Sequence, residues 1–334
     1  MSLRIVDALN SALHSAMREL PEMVVLGEDI LDPYGGAFKV TRGLSDSFPG
    51  RVFATPISEA AITGVGTGLA LQGFRPVVEI MFGDFVTLIA DQLINHASKI
   101  RWMYGQPIDL PLVIRTPMGG RRGYGATHSQ SLERLFLGVP GLSVVAVSPL
   151  GDPGRMLRAA VGGSGPVLFV ESKILYSRAC LHGEDRVAGM RADRPEGDFP
   201  TRRLSHDTDP DVTLVAYGGM VPLALEACEI LHQREGLSCE LVVPHRLAPL
   251  DIAPLAASVE RTRRLVVVEE GTLSWGWGAE VVARLANIRW EAPPQRVAAR
   301  EFPIPAARSV EDAILPQVAD IVAAAVRTID EALV

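Results

Sequence analysis

Hydrophobic residues in the first half of the chain occur in short runs separated by stretches of helical period. The first stretch places Ile5, Leu9 and Leu13 on one face of a helix. Further helices are predicted over 85–100 and 152–161. Apolar runs predict buried strands at 23–26, 76–82, 112–115, 144–147 and 167–170. Because strands alternate with helices, the pattern predicts a doubly wound parallel sheet of the α/β class.

The second half of the chain repeats this alternation after an irregular stretch. Residues 182–210 are rich in Asp, Arg, Pro and Gly and have no hydrophobic period, which predicts a linker. Three more strand and helix pairs are predicted at 212–217, 223–233, 238–243, 252–260, 264–269 and 279–285. We therefore predict a first α/β domain over 1–185, a linker over 186–210 and a second, smaller α/β domain over 211–334.

The stretch 55–73 predicts a helix that begins with an acidic residue. Thr55 can cap this helix, Pro56 suits its first position, and Glu59 falls in its first turn, where the helix dipole favours a carboxylate. Such a carboxylate usually lies in solvent. The rest of this segment is apolar and rich in Gly, so we expect Glu59 to be buried. A buried carboxylate requires a group that binds it.

Small residues recur along one edge of the same helix. Ala60, Gly64 and Gly68 are spaced four residues apart, which leaves that edge almost without side chains. Each Gly in a helix costs about 1 kcal/mol relative to Ala. We therefore expect this edge to serve the close approach of another backbone.

Composition and charge restrict the classes of partner. Apolar residues make up 48% of the 334 residues and charged residues only 21%, against an average of about 25%, so part of the apolar surface is expected to meet a partner. The formal net charge of −7 disfavours nucleic acid. No stretch is long and apolar enough for a membrane span or a secretory signal. The three cysteines form no CxxC pair, which fits a reducing cytoplasm.

Polar segments follow two of the predicted strands. Glu28 comes directly after strand 23–26, and ligands of open α/β sheets collect at such carboxyl ends, so Glu28 is a candidate binding residue. Strand 112–115 is followed by the loop TPMGGRRGYGATHSQS. Its four Gly, with Arg121 and Arg122, fit either a mobile cationic segment near the chemistry or an ordinary surface loop.

One histidine lies in a pattern typical of a helix start. Thr127 to Gln130 has the form of a capping box, which predicts that His128 lies in the first turn of a helix. The amino end of a helix disfavours a protonated imidazole, so the neutral ring can donate or accept a hydrogen bond. A histidine that lies in a helix cap without any function would have the same sequence pattern. The other histidines show no ligand spacing, and we predict no metal ligands in this chain.

Several blocks carry a resemblance to a known family. From Glu59 the spacing Glu-x4-Gly-apolar-x2-Gly-apolar resembles the signature of thiamine-diphosphate enzymes. The whole chain, Met1 to Val334, resembles the beta subunits of the 2-oxo acid dehydrogenase decarboxylase component in the order of its blocks LGED, GGAFKVTRGL, TPISEAA, DQLINHASK, THSQS, PGLSVVAVSP and KILY. The resemblance implies a pyrimidine-binding α/β domain followed by a transketolase C-terminal-like domain.

The resemblance also implies roles for particular residues. The Glu59 carboxylate would hydrogen-bond the pyrimidine ring nitrogen of thiamine diphosphate, and Phe85 would lie against that ring. Plain core packing is the alternative for Phe85. His128 would face the reaction centre and either position the reacting group or protonate the dihydrolipoyl sulfur. Glu28 is added as a cofactor-binding candidate because of its place after a strand.

Only half of a thiamine-diphosphate site is present in the sequence. The chain has no Gly-Asp-Gly followed by a downstream Asn, the pattern that holds the diphosphate and Mg²⁺. The resemblance implies that an alpha subunit supplies this half in an assembly of two alpha and two beta chains. It further implies oxidative decarboxylation of pyruvate or a branched-chain 2-oxo acid, with acyl transfer to a lipoyl acyltransferase component.

Two other functions remain open from the sequence. One is a thiamine-dependent carboligase or transketolase-like biosynthetic subunit, which would use no lipoyl group. The other is a non-catalytic subunit that only docks a partner. The joint presence of Glu59, Phe85 and His128 favours a catalytic chain over a docking chain.

Overall fold

Two sheets of seven strands each form the frame of the molecule. The computed structural model describes residues 3–331, so the outermost ends of the two predicted domains, 1–2 and 332–334, lie outside the described residues. The predicted α/β class, with parallel strands and two sheets, is confirmed. Within residues 3–331, none of the helices has the length and hydropathy needed to cross a membrane.

The first sheet is mostly parallel. Its strands are β1 (Met23–Gly27), β2 (Val52–Ala54), β3 (Arg75–Glu79), β4 (Val113–Met118), β5 (Ser143–Ala146), β6 (Val167–Ser172) and β12 (Arg246–Ala248). The order is β12-β5-β6-β4-β3-β1-β2, and only β12 is antiparallel to its neighbour. The apolar runs predicted as strands all form strands here, because they are buried on both faces.

Helices cover both faces of the first sheet. They are α1 (Ile5–Glu19), α2 (Leu44–Ser47), α3 (Glu59–Leu71), α4 (Ile100–Tyr104) and α5 (Pro153–Gly162), with 3-10 helices at Gly83–Ile89 and Glu133–Phe136 and a π-helix at Gln92–Ala97. α1 packs on α5 over one face, and α3 packs on the 3-10 helix 83–89 over the other. The single helix predicted over 85–100 is wrong, since this segment is divided into 3-10, π and α pieces.

The second sheet combines parallel and antiparallel strands. Its strands are β7 (Arg186–Val187), β8 (Met190–Ala192), β9 (Arg202–Ser205), β10 (Val212–Ala216), β11 (Cys239–Val243), β13 (Leu265–Thr272) and β14 (Gln295–Ala299), in the order β14-β13-β10-β11-β9-β8-β7. Its helices are α6 (Val221–Ile230), α7 (Ala253–Thr262), α8 (Trp277–Arg284), α9 (Arg308–Ile314) and α10 (Val318–Asp330), with a 3-10 helix at Gly218–Met220 and a π-helix at Leu231–Glu235.

The segment predicted as a linker is not free of regular structure. Residues 186–210 contain β7, β8 and β9, which extend the second sheet as antiparallel edge strands. These strands are two to four residues long, and a strand that short gives no hydrophobic period. The boundaries at residues 185 and 211 stay a prediction.

Candidate active site

Glu59 is the first residue of α3. The preceding Ser58 makes no side-chain capping bond, and Thr55 N donates instead to Gly27 O at 3.0 Å, which continues the pairing of β2 with β1. The predicted cap at Thr55 and first position at Pro56 are therefore wrong, because strand pairing keeps this segment extended. Glu59 does lie in the first turn, as predicted.

The Glu59 carboxylate is buried close to a second carboxylate. Its residue is 5% exposed, and nothing within residues 3–331 hydrogen-bonds its side chain. Glu28 follows β1 and is 6% exposed, with a buried Oε1 that has no partner within the same residues. Burial raises the pKa of Glu28, and the negative charges of Glu59 and Asp29 raise it further. Two carboxylates thus meet at one buried place that offers no protein donor.

The raised pKa of Glu28 predicts a pH-dependent stability. The folded chain binds the proton more tightly than the unfolded chain, so ionisation destabilises the fold as pH rises from the usual value of 4.5 through the folded-state pKa. We expect Glu28→Gln to have a higher free energy of unfolding than the wild type near pH 7, and the two to converge as pH falls. Urea unfolding over a pH series measures this difference.

An exposed carboxylate supplies the control for this experiment. Glu226 lies on the surface of α6. Glu226→Gln should follow the wild type at every pH. A Glu28→Gln chain that is less stable than the wild type near neutral pH would contradict the expectation.

Phe85 and His128 lie together, and the segment of Phe85 packs against the helix of Glu59. Phe85 belongs to the 3-10 helix 83–89, which packs on α3, and its ring centroid is 5.3 Å from that of His128 in an edge-to-face arrangement. The Phe82 ring lies 4.8 Å from the same imidazole. The structure therefore brings the predicted aromatic ring and the predicted histidine into contact.

His128 lies in a turn and not in a helix. Its N donates to Gly125 O at 3.2 Å, and its Nδ1 is 3.0 Å from Thr127 Oγ1. The capping box predicted here is wrong because Gln130 is engaged elsewhere: its backbone N and its Nε2 both donate to Asp84 Oδ1, at 3.2 and 2.8 Å. A tertiary contact thus replaces the local cap.

Lys173 binds the backbone of His128, and it was not identified from the sequence as a site residue. It is fully buried, its Nζ donates to His128 O at 2.6 Å, and it lies 5.3 Å from the ring centroid of Phe82. Burial lowers the pKa of Lys173 to about 8, against the opposing charge of Asp84. The sequence did carry a signal, since this lysine directly follows a strand made of buried residues.

A buried ionic network underlies the site, and it was also missed. Arg115, 1% exposed, donates from Nε and Nη2 to the two oxygens of Glu171 at 2.9 and 2.7 Å and from Nη1 to Glu79. Tyr176 Oη donates to Glu171 at 2.6 Å. These residues come from β4, β6, β3 and the turn after β6. The pairing of β3, β4 and β6 brings the three charged residues together, and the turn after β6 adds Tyr176.

The network lies next to the carboxyl end of β1. Glu79 is the register partner of Gly27, which directly precedes Glu28. Burial tends to lower the pKa of Arg115, but the two carboxylates outweigh it and raise that pKa above its ordinary value. Burial raises the pKa of Glu79 despite the guanidinium. Arg115 therefore stays charged and fixes both carboxylates.

The small-residue edge of α3 faces the surface of the molecule. Ala60 and Gly68 are exposed, and a Cβ at Gly68 would meet no atom within 4 Å. Gly66, on the opposite edge, approaches the sheet closely, because a Cβ there would lie 2.8 Å from Val78 Cγ2. Close packing within residues 3–331 therefore explains Gly66, while on the predicted edge a Cβ at Gly64 would lie 3.5 Å from Gln92 Oε1 and Ala60 and Gly68 stay open.

Comparison with known proteins assigns the family. The family model described as "Transketolase, pyrimidine binding domain" matches residues 2–178. The model described as "Transketolase, C-terminal domain" matches residues 203–321. A chain of Oryza sativa subsp. japonica, named pyruvate dehydrogenase E1 component subunit beta-1, mitochondrial, is 38% identical over 330 residues, which are 97% of this chain and 86% of the relative. This chain belongs to the transketolase-like family of E1 beta subunits. The family predicted from the sequence blocks is confirmed.

Other relatives agree with this E1 beta assignment. A Mycobacterium tuberculosis chain named 3-methyl-2-oxobutanoate dehydrogenase subunit beta is 39% identical over 311 residues, 92% of this E1 beta chain and 86% of the relative. A solved structure described as a split gene transketolase, inactive beta4 tetramer, covers 99% of both chains with a TM-score of 0.74 at 22% identity. That likeness shows the two-domain fold alone.

Proposed function

We propose that this chain is the beta subunit of a thiamine-diphosphate-dependent decarboxylase component of a 2-oxo acid dehydrogenase. The reaction would be oxidative decarboxylation of a 2-oxo acid with transfer of the acyl group to a lipoyl group. One observation carries the proposal: Glu59 is buried and has no hydrogen-bond partner within residues 3–331, at the first turn of a helix whose small-residue edge faces outward.

The side chains around Glu59 fit the pyrimidine half of the cofactor. A buried carboxylate without a partner suits a ring nitrogen that needs a hydrogen-bonding acid or base. Phe85 offers a half-buried ring, and Glu28 offers a second buried oxygen without a partner in the described chain. When bound, thiamine diphosphate supplies the electron sink for decarboxylation. Glu59 would hold the proton at the pyrimidine nitrogen, and Phe85 would orient the ring.

His128 would serve the reacting end of the site. It is half-buried, and its Nδ1 lies next to Thr127 Oγ1, so that hydroxyl is available to fix the ring tautomer. Lys173 Nζ, bonded to His128 O, fixes the backbone that carries the ring. His128 can therefore present Nε2 to a substrate or to a lipoyl sulfur. This role stays a prediction.

An alpha subunit would complete the site. Exposed apolar side chains lie on and around α3: Ile57, which is 84% exposed, Val65 on the helix, and Leu88 on the 3-10 helix packed against it. With the bare edge at Ala60 and Gly68, they form a surface suited to another protein. We propose that this partner brings the diphosphate site and Mg²⁺ in an assembly of two alpha and two beta chains.

The names of the relatives favour two kinds of 2-oxo acid as the class of substrate. One relative is named for pyruvate and another for 3-methyl-2-oxobutanoate, a branched-chain 2-oxo acid. We propose that this chain acts on a 2-oxo acid of one of these two kinds and passes the acyl group to a lipoyl acyltransferase component. The cytoplasmic location stays a prediction.

Reconstitution of the complex tests the proposal. The chain, produced together with an alpha-type partner and supplied with thiamine diphosphate and Mg²⁺, should decarboxylate pyruvate or a branched-chain 2-oxo acid in the presence of an artificial electron acceptor. The chain without its partner should be inactive. Addition of a lipoyl domain should give acylated lipoyl groups, detectable by mass spectrometry.

Two outcomes would oppose it. Carbon–carbon bond formation with no acyl transfer to the lipoyl domain would favour a carboligase or transketolase-like subunit. An assembled complex that neither binds thiamine diphosphate nor decarboxylates any 2-oxo acid would favour a docking subunit.

A further inference from the structure

The Gly-rich loop between β4 and His128 is held by two carboxylates from the second half of the chain. Gly120 N donates to Glu270 Oε1 at 2.6 Å. Arg121 N donates to Glu311 Oε1 at 2.7 Å, and Gly123 N donates to Glu311 Oε2 at 3.3 Å. The loop was expected to be a mobile segment or an ordinary surface loop, but its backbone is bonded across the two sheets.

The backbone conformation of the loop is what presents these N–H groups. Gly119, Arg121, Gly123 and Gly125 all have positive φ, between 68° and 93°. When right-handed and left-handed backbone conformations alternate along a segment, successive N–H groups point to the same side and form a concave site for an anion. Arg121 is the one non-Gly residue of the four, and a positive φ is unfavourable for it. The bonds to Glu270 and Glu311 offset that strain.

The fit between loop and carboxylates leaves no room for side chains. A Cβ at Gly119 would lie 2.8 Å from Glu270 Oε1. A Cβ at Gly120 would lie 2.7 Å from Leu315 Cδ1 and 3.0 Å from Glu311 Oε1. Glycine is therefore required at both positions because carboxylates approach the backbone, in addition to any need for flexibility.

These two carboxylates form no salt bridge in the described chain, but the buried Lys173 acts on both from farther away, since, against the lowering effect of burial, the negative charges of Glu270 and Glu311 tend to raise its pKa. Glu311 is 1% exposed and Glu270 is also buried, yet neither forms an ion pair within residues 3–331. The Arg121 guanidinium turns away and donates to Pro316 O at 2.5 Å. The backbone N–H groups of the loop thus make the direct contacts to the buried negative charges, and Lys173 adds attraction from a greater distance.

The anchored part of the loop connects directly to His128. Gly119 N donates to Gln130 O at 3.1 Å, so residues 119–130 form a closed loop with both ends at one place. Within it, the turn from Gly125 to His128 follows the anchored residues, and Lys173 holds His128 O. We therefore expect a shift at residues 120–123 to be passed to the His128 backbone.

We propose that Glu270 and Glu311 are positioning residues for His128. They act from β13 and α9 through the loop backbone and fix the imidazole against Phe82 and Phe85. The second domain thereby contributes to the chemistry without touching a reactant. The catalytic part of this inference rests on the proposed function, but the placement of His128 does not.

Chemical labelling of the full chain tests the placement. Glu311→Gln keeps one acceptor oxygen and loses the other, so it breaks one of two charge-assisted bonds and should release the loop about tenfold more often. Glu270→Gln keeps an oxygen for its single bond and should have a smaller effect. We expect faster reaction of His128 with diethyl pyrocarbonate, and faster tryptic cleavage after Arg121 or Arg122, both located by mass spectrometry.

Glu240→Gln is the matched control. Glu240 is a buried carboxylate of the second sheet, bonded by Ser258 and Arg261 and far in sequence from the loop. This variant should leave the labelling of His128 and the cleavage of the loop unchanged. Equal labelling of His128 in Glu311→Gln and wild type would overturn the proposal, as would a rise that is equal for His14 and His96.

Kinetics of the assembled complex separate positioning from general stabilisation. Glu311→Gln should lower kcat about tenfold with little change in the KM for the 2-oxo acid. In a His128→Ala background the same change should have almost no further effect, because both act through one group. Additive losses would overturn the proposal. If the complex decarboxylates no substrate, the proposed function fails, while the labelling of His128 still decides whether Glu270 and Glu311 position it.

Discussion

Replacement of Glu59 by Gln is expected to abolish decarboxylation while leaving the fold intact. Gln cannot exchange the proton that a pyrimidine nitrogen requires, and the loss of a positioned acid or base lowers rates by about 10² to 10⁴. We therefore expect kcat of the complex with its alpha partner to fall by at least about 100-fold. Assays at saturating thiamine diphosphate and Mg²⁺ measure this.

Stability distinguishes a functional carboxylate from a structural one. Glu59 is buried and has no hydrogen-bond partner within residues 3–331, so its replacement by Gln breaks no interaction that holds the fold. Glu59→Gln should unfold at the same urea concentration as the wild type or at a higher one. Full activity of this variant would refute the role given to Glu59, and a marked loss of stability would show that the carboxylate has a structural partner.

Replacement of Arg115 by Leu is expected to have the largest effect on stability. It leaves Glu79 and Glu171 buried without their cation, and breaking one side of a buried ion pair costs about 3 to 5 kcal/mol. The measurement should report on the first sheet, because Arg115, Glu79 and Glu171 all lie on its strands. Hydrogen exchange of the β3, β4 and β6 amides, followed by mass spectrometry in the native state, does so.

The pH dependence of the stability loss in Arg115→Leu tests whether the unpaired carboxylates cause it. Burial raises the pKa of Glu79 even beside the guanidinium, so without Arg115 its protonation as pH falls should remove the repulsion from Glu171 and shrink the loss in Arg115→Leu. Arg115→Lys keeps a charge but not the planar fork, and should lie between wild type and Arg115→Leu. The combination of Arg115→Leu with Glu79→Gln and Glu171→Gln should recover part of the loss. A loss that is independent of pH would point to packing.

The predicted strands that succeeded share one physical property. The runs at 23–26, 112–115 and 167–170 are buried on both faces, so an uninterrupted apolar sequence is itself the signal. The helix predicted over 152–161 from its period forms as α5, and the structure shows that Asp152 caps it locally, accepting from Arg155 N at 3.0 Å. Where the deciding interaction is local, the sequence contains it.

The predictions that failed share the opposite property. β12 is a three-residue strand that exists because it pairs with β5 across about 100 residues of chain. Thr55 does not cap α3 because strand pairing extends it, and His128 is not in a helix because Asp84 binds Gln130. In each case a partner distant in the sequence competes with a local pattern and prevails.

The sequence by itself determined the α/β class, the family resemblance, and the candidates Glu28, Glu59, Phe85 and His128. The fold class and Glu28 depend on patterns of burial and spacing within single segments, whereas Phe85 and the roles of Glu59 and His128 were implied by the family resemblance. Only the tertiary structure revealed the ionic network of Arg115, the support by Lys173 and the anchoring of the Gly-rich loop by Glu270 and Glu311. Each of these joins groups that are 36 to 190 residues apart, and a hydrogen bond between them leaves no trace in the local sequence.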